Sequence, residues 1–532
     1  MKSGDMIERH GIVSRRNALK ALAGIIAAPA VQTAAMATTG TQAGPAQIAA
    51  GTLPKRPNIL WITGEGVPQA ALSCYGSRLI DTPNIDRIAR EGLCFTNSFV
   101  TNGLCAPSRA TLLTGTYNNI NAMYGNPDVP AANAGSMVPR FDPSQESFPK
   151  ILKRDGYQTA MLGKWHLPVN PADTGFDLFV YKNGAGGPYY DPTGYFGNPA
   201  LGSTQIEKQV HEGYSTDIFT DLAIKGIEQF KGLGKPFLMM LQYFNDHRPF
   251  DPPHKYEHLY DDVRIPEPAT FWDDYSHRAG AAKAARMRIE DMPDFNPPSY
   301  LTPRQRKQWN YQKFMEHFLG TLRSQDDNIG RLLDYLDKSG LAENTIVVYT
   351  CDHGFFLGDH GWFDKRFMYE QPIHVPWIIR APGMKGRGTV TDEWVIGIDN
   401  APTVLDLCGL PVPKEMQGRS IAPLLRGESP TPRERALYYH YYEFGPPHWV
   451  APHYGIRTER YKLIHYYNRN EWELFDLERD PDEMDSQFIE NGMRVGPGYE
   501  DIANQLVAQL KAIREHYKDD TGLPVILWPP GD

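Results

Sequence analysis

Short apolar runs alternate with amphipathic segments through the first 410 residues. The apolar runs have the length of buried strands, whereas the amphipathic segments carry apolar residues at helical spacing, as in the helix that begins near Ser215. Predicted strands cover 58–63, 159–163, 236–244, 345–351 and 375–380, and predicted helices cover 82–92, 147–157 and 311–338. This alternation predicts an α/β fold with a doubly wound, mixed but mostly parallel sheet flanked by helices.

The pattern changes after about Arg435, where short runs become rich in aromatic residues. Predicted strands cover 436–444, 453–458, 461–467 and 471–483, and a helix covers 499–517. Short aromatic runs separated by turns are typical of antiparallel strands. We therefore expect a large α/β domain over 55–434 and a smaller α+β subdomain with an antiparallel sheet over 435–532.

Two segments show neither the strand-like nor the helical spacing of apolar residues. Residues 182–199 are rich in Gly, Pro and Tyr, and residues 278–304 contain several prolines and charges. Long irregular loops in a compact protein often cover a binding site. Surface insertions that contact no ligand explain them equally well.

The first 37 residues are predicted to be an export signal. "SRRNALK" carries paired arginines, "ALAGIIAAPAV" is a short apolar run and "AMA" is a cleavage site for a signal peptidase. The segment resembles a twin-arginine signal, although Ala18 stands where that pattern usually has Phe. We expect a linker over 38–54 and export to a bacterial periplasm; the alternative is a disordered tail. No segment is predicted to span a membrane, because this apolar run is too short.

Composition excludes some classes of protein. The 532 residues carry a net charge of −9, which argues against a nucleic-acid partner because such a surface needs basic excess. The five cysteines (74, 94, 105, 351 and 408) are widely spaced and form no CxxC pair, so zinc is not indicated and no disulfide is assigned.

Charged side chains follow four of the predicted strands. They are Glu65 after the first, Lys164 and His166 after the second, Asp246 and His247 after the third, and Asp352 and His353 after the fourth. Each alone is typical of a solvated loop. Because the carboxyl ends of parallel strands meet at one edge of a sheet, the four together predict a single site.

Cys105 precedes a predicted helix in "LCAPSRATLLTG", with Pro107 in the first turn. A cysteine just before a helix N-terminus has a lowered pKa, which suggests a thiolate nucleophile. That interpretation fits poorly, because no Cys-His-Asn pattern accompanies it and the polar cluster mixes cations with carboxylates.

"CAPSRATLLTG" resembles the signature of the type I sulfatases, which belong to the alkaline-phosphatase-like superfamily. "TPNIDRIAREG", "GYQTAMLGKWHL" and "TCDHGFFLGDHGWFDKRFMYE" follow in the order of that family and look most like N-acetylglucosamine-6-sulfatases and mucin-desulfating carbohydrate sulfatases. The resemblance implies that a maturation enzyme converts Cys105 to formylglycine. One oxygen of the hydrated aldehyde then attacks the sulfur of a sulfated carbohydrate, and the second hydroxyl expels sulfate.

The resemblance also assigns roles to other positions. Arg109, Lys164 and Lys365 match positions that hold the nucleophile or the sulfate oxygens. His166 holds the diol, and His247 protonates or stabilises the leaving oxygen. His453 and Arg457 match positions that face the substrate.

A divalent cation is implied as well. Its ligands would be Glu65, the residue derived from Cys105, Asp352 and His353, with Ca²⁺ expected and Mg²⁺ or Mn²⁺ as alternatives. The family usually has two acidic residues after the first strand, whereas this chain has Glu65 and then Gly66. The site is one carboxylate short, which weakens Ca²⁺ binding or abolishes it. Gly66→Asp would restore the missing ligand, provided that Gly66 does not need a positive φ.

Three functions remain open. A sulfatase of sulfated carbohydrates is favoured. A phosphoester or phosphonate hydrolase on the same scaffold is the nearest alternative, because tetrahedral anions fit the same cations. A metal-deficient, non-catalytic binder of sulfated glycans is the third.

Overall fold

The central sheet of the computed structural model has ten strands within the residues that the structure describes, which are 52–128, 137–184, 186–197 and 207–521. In chain order they are β1 (Asn58–Gly64), β2 (Leu93–Phe99), β3 (Gln158–Lys164), β4 (Leu178–Lys182), β5 (Thr193–Gly197), β6 (Glu207–Val210), β7 (Phe237–Gln242), β8 (Thr345–Cys351), β9 (Trp377–Arg380) and β10 (Thr389–Ile396). Their order across the sheet is β10-β2-β9-β8-β1-β7-β3-β4-β5-β6. The predicted export signal lies outside the described residues.

The middle of the sheet is parallel from β8 through β1, β7 and β3 to β4. Towards one edge β9 runs antiparallel between β8 and β2, and towards the other β5 and β6 add antiparallel strands. The predicted loop 182–199 therefore contains a strand, β5, which lies next to the edge strand β6. The mixed, mostly parallel sheet confirms the predicted fold class.

Helices cover both faces of the sheet. They are α1 (Pro83–Glu91), α2 (Cys105–Thr114), α3 (Asn118–Asn121), α4 (Phe148–Arg154), α5 (Ser215–Gly232), α6 (Gly280–Ala284), α7 (Pro303–Lys338), α8 (Glu370–Ile373), α9 (Asn400–Leu407), α10 (Ala422–Arg426) and α11 (Glu500–His516). Alternate residues of a strand point to opposite faces. Ile59 and Trp61 accordingly join an apolar cluster with α2, α4 and α9, whereas Leu60 and Ile62 join another with α1, α5 and α7. Both faces of β1 are therefore buried.

The long helix α7 begins at Pro303, earlier than the predicted 311. Thr302 caps it by accepting a hydrogen bond from the Gln305 backbone N–H, and the Gln305 side chain accepts one from the backbone N–H of Thr302 in return. This reciprocal cap and the proline in the first turn start the helix before its apolar stripe begins.

The C-terminal part forms a four-stranded antiparallel sheet, as predicted. Its strands, in order, are β11 (Ala436–Tyr441), β12 (His453–Thr458), β13 (Tyr461–Tyr466) and β14 (Glu471–Asp476), and a two-stranded ribbon of β15 (Phe488–Ile489) and β16 (Arg494–Val495) follows. Apolar residues of β11 to β14 belong to the same buried cluster as residues of α7 and β8. Among the described helices, none has the length and apolar character needed to cross a bilayer.

Candidate active site

The carboxyl ends of four neighbouring parallel strands form the floor of the site. β8, β1, β7 and β3 lie side by side in that order, and Glu65, Lys164 and Asp352 stand at or just after the ends of three of them. All three side chains are fully buried or nearly so. Charged groups that follow β1, β3 and β8 therefore meet at one edge of the sheet.

Cys105 is the first residue of α2, not the residue before the helix. Its Sγ lies 3.0 Å from Glu65 Oε1 and 3.3 Å from His353 Nε2, and the residue is fully buried. The backbone N–H of Ala106, free because it opens the helix, donates to Asn126 Oδ1 at 3.1 Å. Asn126 therefore holds the helix end that carries Cys105.

Arg109 and Lys164 bind the carboxylates beneath Cys105. Arg109 follows Cys105 by one helical turn and so lies on the same face of α2. Its Nη2 donates to Glu65 Oε2 at 2.7 Å and to Asp352 Oδ2 at 2.9 Å, and its Nη1 donates to the Lys164 carbonyl at 3.0 Å and to Gln242 Oε1. Lys164 Nζ donates to Glu65 Oε1 at 2.7 Å.

Opposite charges control ionisation in this buried cluster. Burial acts to raise the pKa of Glu65, but Lys164, His353 and Arg109 outweigh it and hold that pKa well below its ordinary value. Burial and Glu65 act to raise the pKa of Cys105, but Lys164, Lys365 and His353 lower it well below the ordinary value. The site is therefore built to hold negative charge at position 105.

Four groups could hold a cation. One ligand atom from each of Glu65, Cys105, Asp352 and His353 lies within 4.8 Å of the others, and all four residues are buried. His353 Nδ1 is 2.8 Å from the Gly354 carbonyl, so Nε2 is the nitrogen that faces the cluster. Burial lowers the pKa of His353, but Asp352 overcomes this and raises it to about 10. Because a protonated ring has no lone pair, a cation bound at Nε2 would displace that proton. Two carboxylates, a sulfur and an imidazole nitrogen gathered in this way fit a divalent cation.

Gly66 occupies a left-handed conformation with φ +68°. A Cβ at this position would lie 3.1 Å from Phe355 Cδ2 and 3.4 Å from His353 Cε1. Gly66→Asp was expected to restore a ligand only if Gly66 does not need a positive φ, and the structure shows that it does. A side chain here would be strained and would crowd His353, a candidate ligand. The Gly66 N–H instead lies 3.4 Å from Asp352 Oδ1.

Lys365 lies in a strained loop and is the third positively charged side chain near Cys105, after Arg109 and Lys164. Its neighbours Asp364 and Arg366 have φ values of +76° and +95°, and Lys365 is 1% exposed. Burial acts to lower the pKa of Lys365, but Cys105 and Asp364 raise it above the ordinary value, so the ammonium group stays charged. His448 of the C-terminal part holds this loop through a 2.9 Å contact between its Nε2 and Asp364 Oδ2.

One buried hydroxyl links the loops on either side of the site. Tyr439 in β11 accepts a hydrogen bond from the Gly103 N–H at 2.8 Å and donates one to the Arg366 carbonyl at 2.6 Å. Gly103 lies two residues before Cys105, and Arg366 follows Lys365. The C-terminal sheet thereby connects the two segments that carry Cys105 and Lys365.

Glu443 adds a second connection between the same two segments. Its Oε1 accepts from the Asn126 N–H at 2.6 Å, and its Oε2 accepts from Arg366 Nη1 at 2.7 Å. Since Asn126 also caps Ala106, the C-terminal part reaches the first turn of α2 by this route as well.

The two predicted catalytic histidines differ in environment. His166 is fully buried with φ +61°, and its Nε2 is 3.1 Å from Asp128 Oδ1. His247 follows β7, and its Nδ1 is 3.2 Å from the Arg248 carbonyl. Burial, Lys365 and Lys164 lower the pKa of His247 to about 4, so its ring is neutral at neutral pH. Asp246 points elsewhere and accepts hydrogen bonds from Asn245 and Gln325.

His453 and Arg457 have structural contacts. His453 is fully buried, its Nδ1 is 2.8 Å from the Ala451 carbonyl, and its Nε2 accepts from the Met368 N–H at 3.1 Å. Arg457 forms two 3.2 Å contacts with the Glu370 carboxylate, between Nε and Oε1 and between Nη2 and Oε2. These contacts hold β12 against the segment between β8 and β9, and we place neither residue in the proposed site.

Comparison with known proteins identifies the class. The sequence pattern of the sulfatase family matches residues 57–410, and that of the N-sulphoglucosamine sulphohydrolase C-terminal region matches residues 358–516. The chain belongs to the sulfatase family and is a sulfuric ester hydrolase.

Individual relatives cover most of the chain. An N-acetylglucosamine-6-O-sulfatase of Bacteroides thetaiotaomicron is 38% identical over 516 residues, which cover 88% of each chain. A solved protein in complex with its substrate D-glucosamine-2-N,6-O-disulfate superposes with a TM-score of 0.78 at 37% identity, covering 88% of this chain and 99% of the other. The phosphonate monoester hydrolase of Agrobacterium radiobacter shares the fold, with a TM-score of 0.66 at 20% identity over 87% and 96% of the two chains.

Proposed function

We propose that the protein hydrolyses a sulfate monoester on a sulfated carbohydrate, and that a maturation enzyme first converts Cys105 to formylglycine. The observation that carries this proposal is the buried cluster in which Arg109, Lys164 and Lys365 surround Cys105. The name of the 38% identical relative supports a 6-O-sulfated N-acetylglucosamine as the sugar.

Formylglycine in its hydrated form supplies the oxygen that attacks sulfur and a second hydroxyl that releases sulfate. The chain supplies the charges around it. Sulfate brings negative charge to the reacting centre, and fixed cations in a site without bulk water stabilise that charge more than exposed ones do. Glu65 holds Arg109 and Lys164 in place, while the strained loop holds Lys365.

His247 is proposed to act on the leaving oxygen only when substrate is bound. In the free protein its Nδ1–H points at the Arg248 carbonyl, so the neutral ring offers a lone pair at Nε2 and cannot donate a proton. Burial first, and then the charges of Lys365 and Lys164, keep the pKa of His247 low; a bound sulfate would offset the two charges, which favours protonation. His166 is proposed to orient the residue at position 105, with Asp128 fixing its ring.

A divalent cation, Ca²⁺ first among the candidates, would be held by Glu65, Asp352, His353 and the residue derived from Cys105. It would polarise the sulfate oxygens. With two carboxylates rather than three, we propose that it is bound but readily removed by a chelator.

We propose that the protein is exported to a periplasm, which the paired arginines and the apolar run of residues 1–37 support. We propose that residues 55–434 carry the catalytic machinery and that the C-terminal subdomain positions it, because Tyr439 and Glu443 bind both loops of the site.

A parallel steady-state assay tests the proposed reaction. Matched aryl esters of sulfate, phosphate and phosphonate are compared with 6-O-sulfated N-acetylglucosamine, with Cys105→Ala as the blank. We expect the highest kcat/KM for sulfate esters and no turnover by the variant. Preference for the phosphonate would favour the alternative hydrolase, and sulfoglycan binding without turnover would favour the non-catalytic binder.

A further inference from the structure

Two large aromatic side chains are exposed in the loop between β11 and β12. Phe444 and Trp449 are 39% and 38% exposed, and their rings meet edge to face with centroids 5.6 Å apart. Trp449 has φ +51°, a strained conformation for a residue with a side chain. The loop therefore holds a pair of apolar faces in contact with solvent at an energetic cost.

Arg286 lies beside this pair. Its Cζ is 6.0 Å from the centroid of the Trp449 ring. The residue is exposed, and among the described residues no carboxylate or other hydrogen-bonding group contacts its guanidinium. A guanidinium with free donors can bind a sulfate or carboxylate through two parallel hydrogen bonds.

Backbone contacts fix the aromatic pair and Arg286 next to the Lys365 loop. The Arg286 N–H donates to the His448 carbonyl at 2.7 Å, and His448 in turn binds Asp364. The carbonyl of Met287, the next residue, accepts from the Phe363 N–H at 2.8 Å. The chain is thus tied to the Lys365 loop on both sides of Arg286, indirectly through His448 to Asp364 and directly from Met287 to Phe363.

We propose that Phe444, Trp449 and Arg286 form a subsite for a sugar ring that carries a second negative charge. An aromatic face packs on the C–H face of a sugar, and Arg286 binds an anionic substituent of the ring, either a sulfate or a carboxylate. This inference rests on the proposed function, because Lys365 beside the subsite would hold the sulfate to be hydrolysed. Such a subsite would favour substrates with a second charge over singly sulfated ones.

Kinetics with three substrates test the subsite. The first is 6-O-sulfated N-acetylglucosamine, the second has an additional N-sulfate on the same ring, and the third is a disaccharide with a neighbouring uronic acid. Arg286→Gln should lower the preference for the doubly charged substrates over the first, measured as the ratio of kcat/KM values, by about tenfold. The substrate that loses preference identifies whether the charge lies on the same ring or on its neighbour.

Trp449→Ala should raise KM for all three substrates by about tenfold with a smaller change in kcat, because ring packing does not depend on charge. Arg304→Gln is the matched control. Arg304 lies in the first turn of α7 and stacks over Trp272, a tryptophan that is 37% exposed and so comparable with Trp449. This variant should change none of the ratios.

Equal preference in native protein and Arg286→Gln, or an equal shift in Arg304→Gln, would overturn the subsite. Affinity of Cys105→Ala for the same sugars gives a second readout without turnover, and Arg286→Gln in that background should weaken binding of the doubly charged sugars about tenfold. If native protein hydrolyses the first substrate and every variant shows the same kinetics as native protein, the subsite is refuted but the proposed function is not. Absence of sulfate release from every substrate would refute the proposed function itself.

Discussion

Tyr439→Phe removes one hydroxyl that bridges the two loops of the site. The Gly103 N–H and the Arg366 carbonyl lose partners at 2.8 and 2.6 Å in a fully buried position. A buried group left without a partner costs on the order of 1–3 kcal/mol, so we expect a loss of stability in this range. Because the segments carrying Cys105 and Lys365 would then be linked through Glu443 without the Tyr439 hydroxyl, their spacing should be less well fixed, and kcat should fall by about 10- to 100-fold with a smaller change in KM.

Tyr438→Phe is the control that should lose stability without disturbing the two loops of the site. Tyr438 is the preceding residue of β11 and is also fully buried, but its hydroxyl contacts Asp519 and His440 near the C-terminal helix. We expect a similar loss of stability in urea unfolding and a kcat within about twofold of the native value. Formylglycine content and sulfate release are measured on all three proteins. Native turnover in Tyr439→Phe, or an equal loss in Tyr438→Phe, would refute the positioning role.

Three further predictions concern the metal site, the cations and stability. Lys164→Ala should lower kcat on the order of 10²- to 10³-fold and Lys164→Arg should not restore it fully, because a planar guanidinium does not replace a point charge; sulfate-release kinetics measure both. Gly66→Asp should lower thermal stability without tightening Ca²⁺ in calorimetric titration, since φ +68° and Phe355 disfavour a side chain. Burial acts to raise the pKa of Asp519, but His440 and hydrogen bonds outweigh it and lower that pKa. The charged carboxylate therefore stabilises the fold at pH values above the ordinary carboxylate pKa of about 4. Asp519→Asn should therefore be less stable at neutral pH in urea unfolding, and the difference should shrink as the solution is acidified below that value.

Much of the fold could be predicted from local pattern. The strands Thr345–Cys351 and His453–Thr458 have the predicted bounds, because continuous apolar or aromatic runs end at charged or turn residues. The direction of β9 could not be predicted, since a buried run reads the same in parallel and antiparallel pairing. The early start of α7 was encoded in the capping residues rather than in the apolar period that set the prediction.

The floor of the site was predictable because the carboxyl ends of parallel strands converge, which brings Glu65, Lys164 and Asp352 together from distant parts of the chain. The contacts that hold the loops were not. Tyr439 lies 336 residues from Gly103, and an aromatic residue in an aromatic strand carries no mark of a functional hydroxyl. His453 was predicted to face the substrate but has only structural contacts. Strand alternation could not show this, because it does not reveal that both faces of β12 are buried.

The most direct test is the chemical identity of residue 105 in active protein. Protein made together with a formylglycine-generating enzyme is digested, and the peptide containing Cys105 is analysed by mass spectrometry with and without an aldehyde-reactive label. We predict a formylglycine peptide whose fraction rises in proportion to sulfatase activity across preparations. A fully active preparation in which residue 105 is entirely an unmodified thiol would contradict the account.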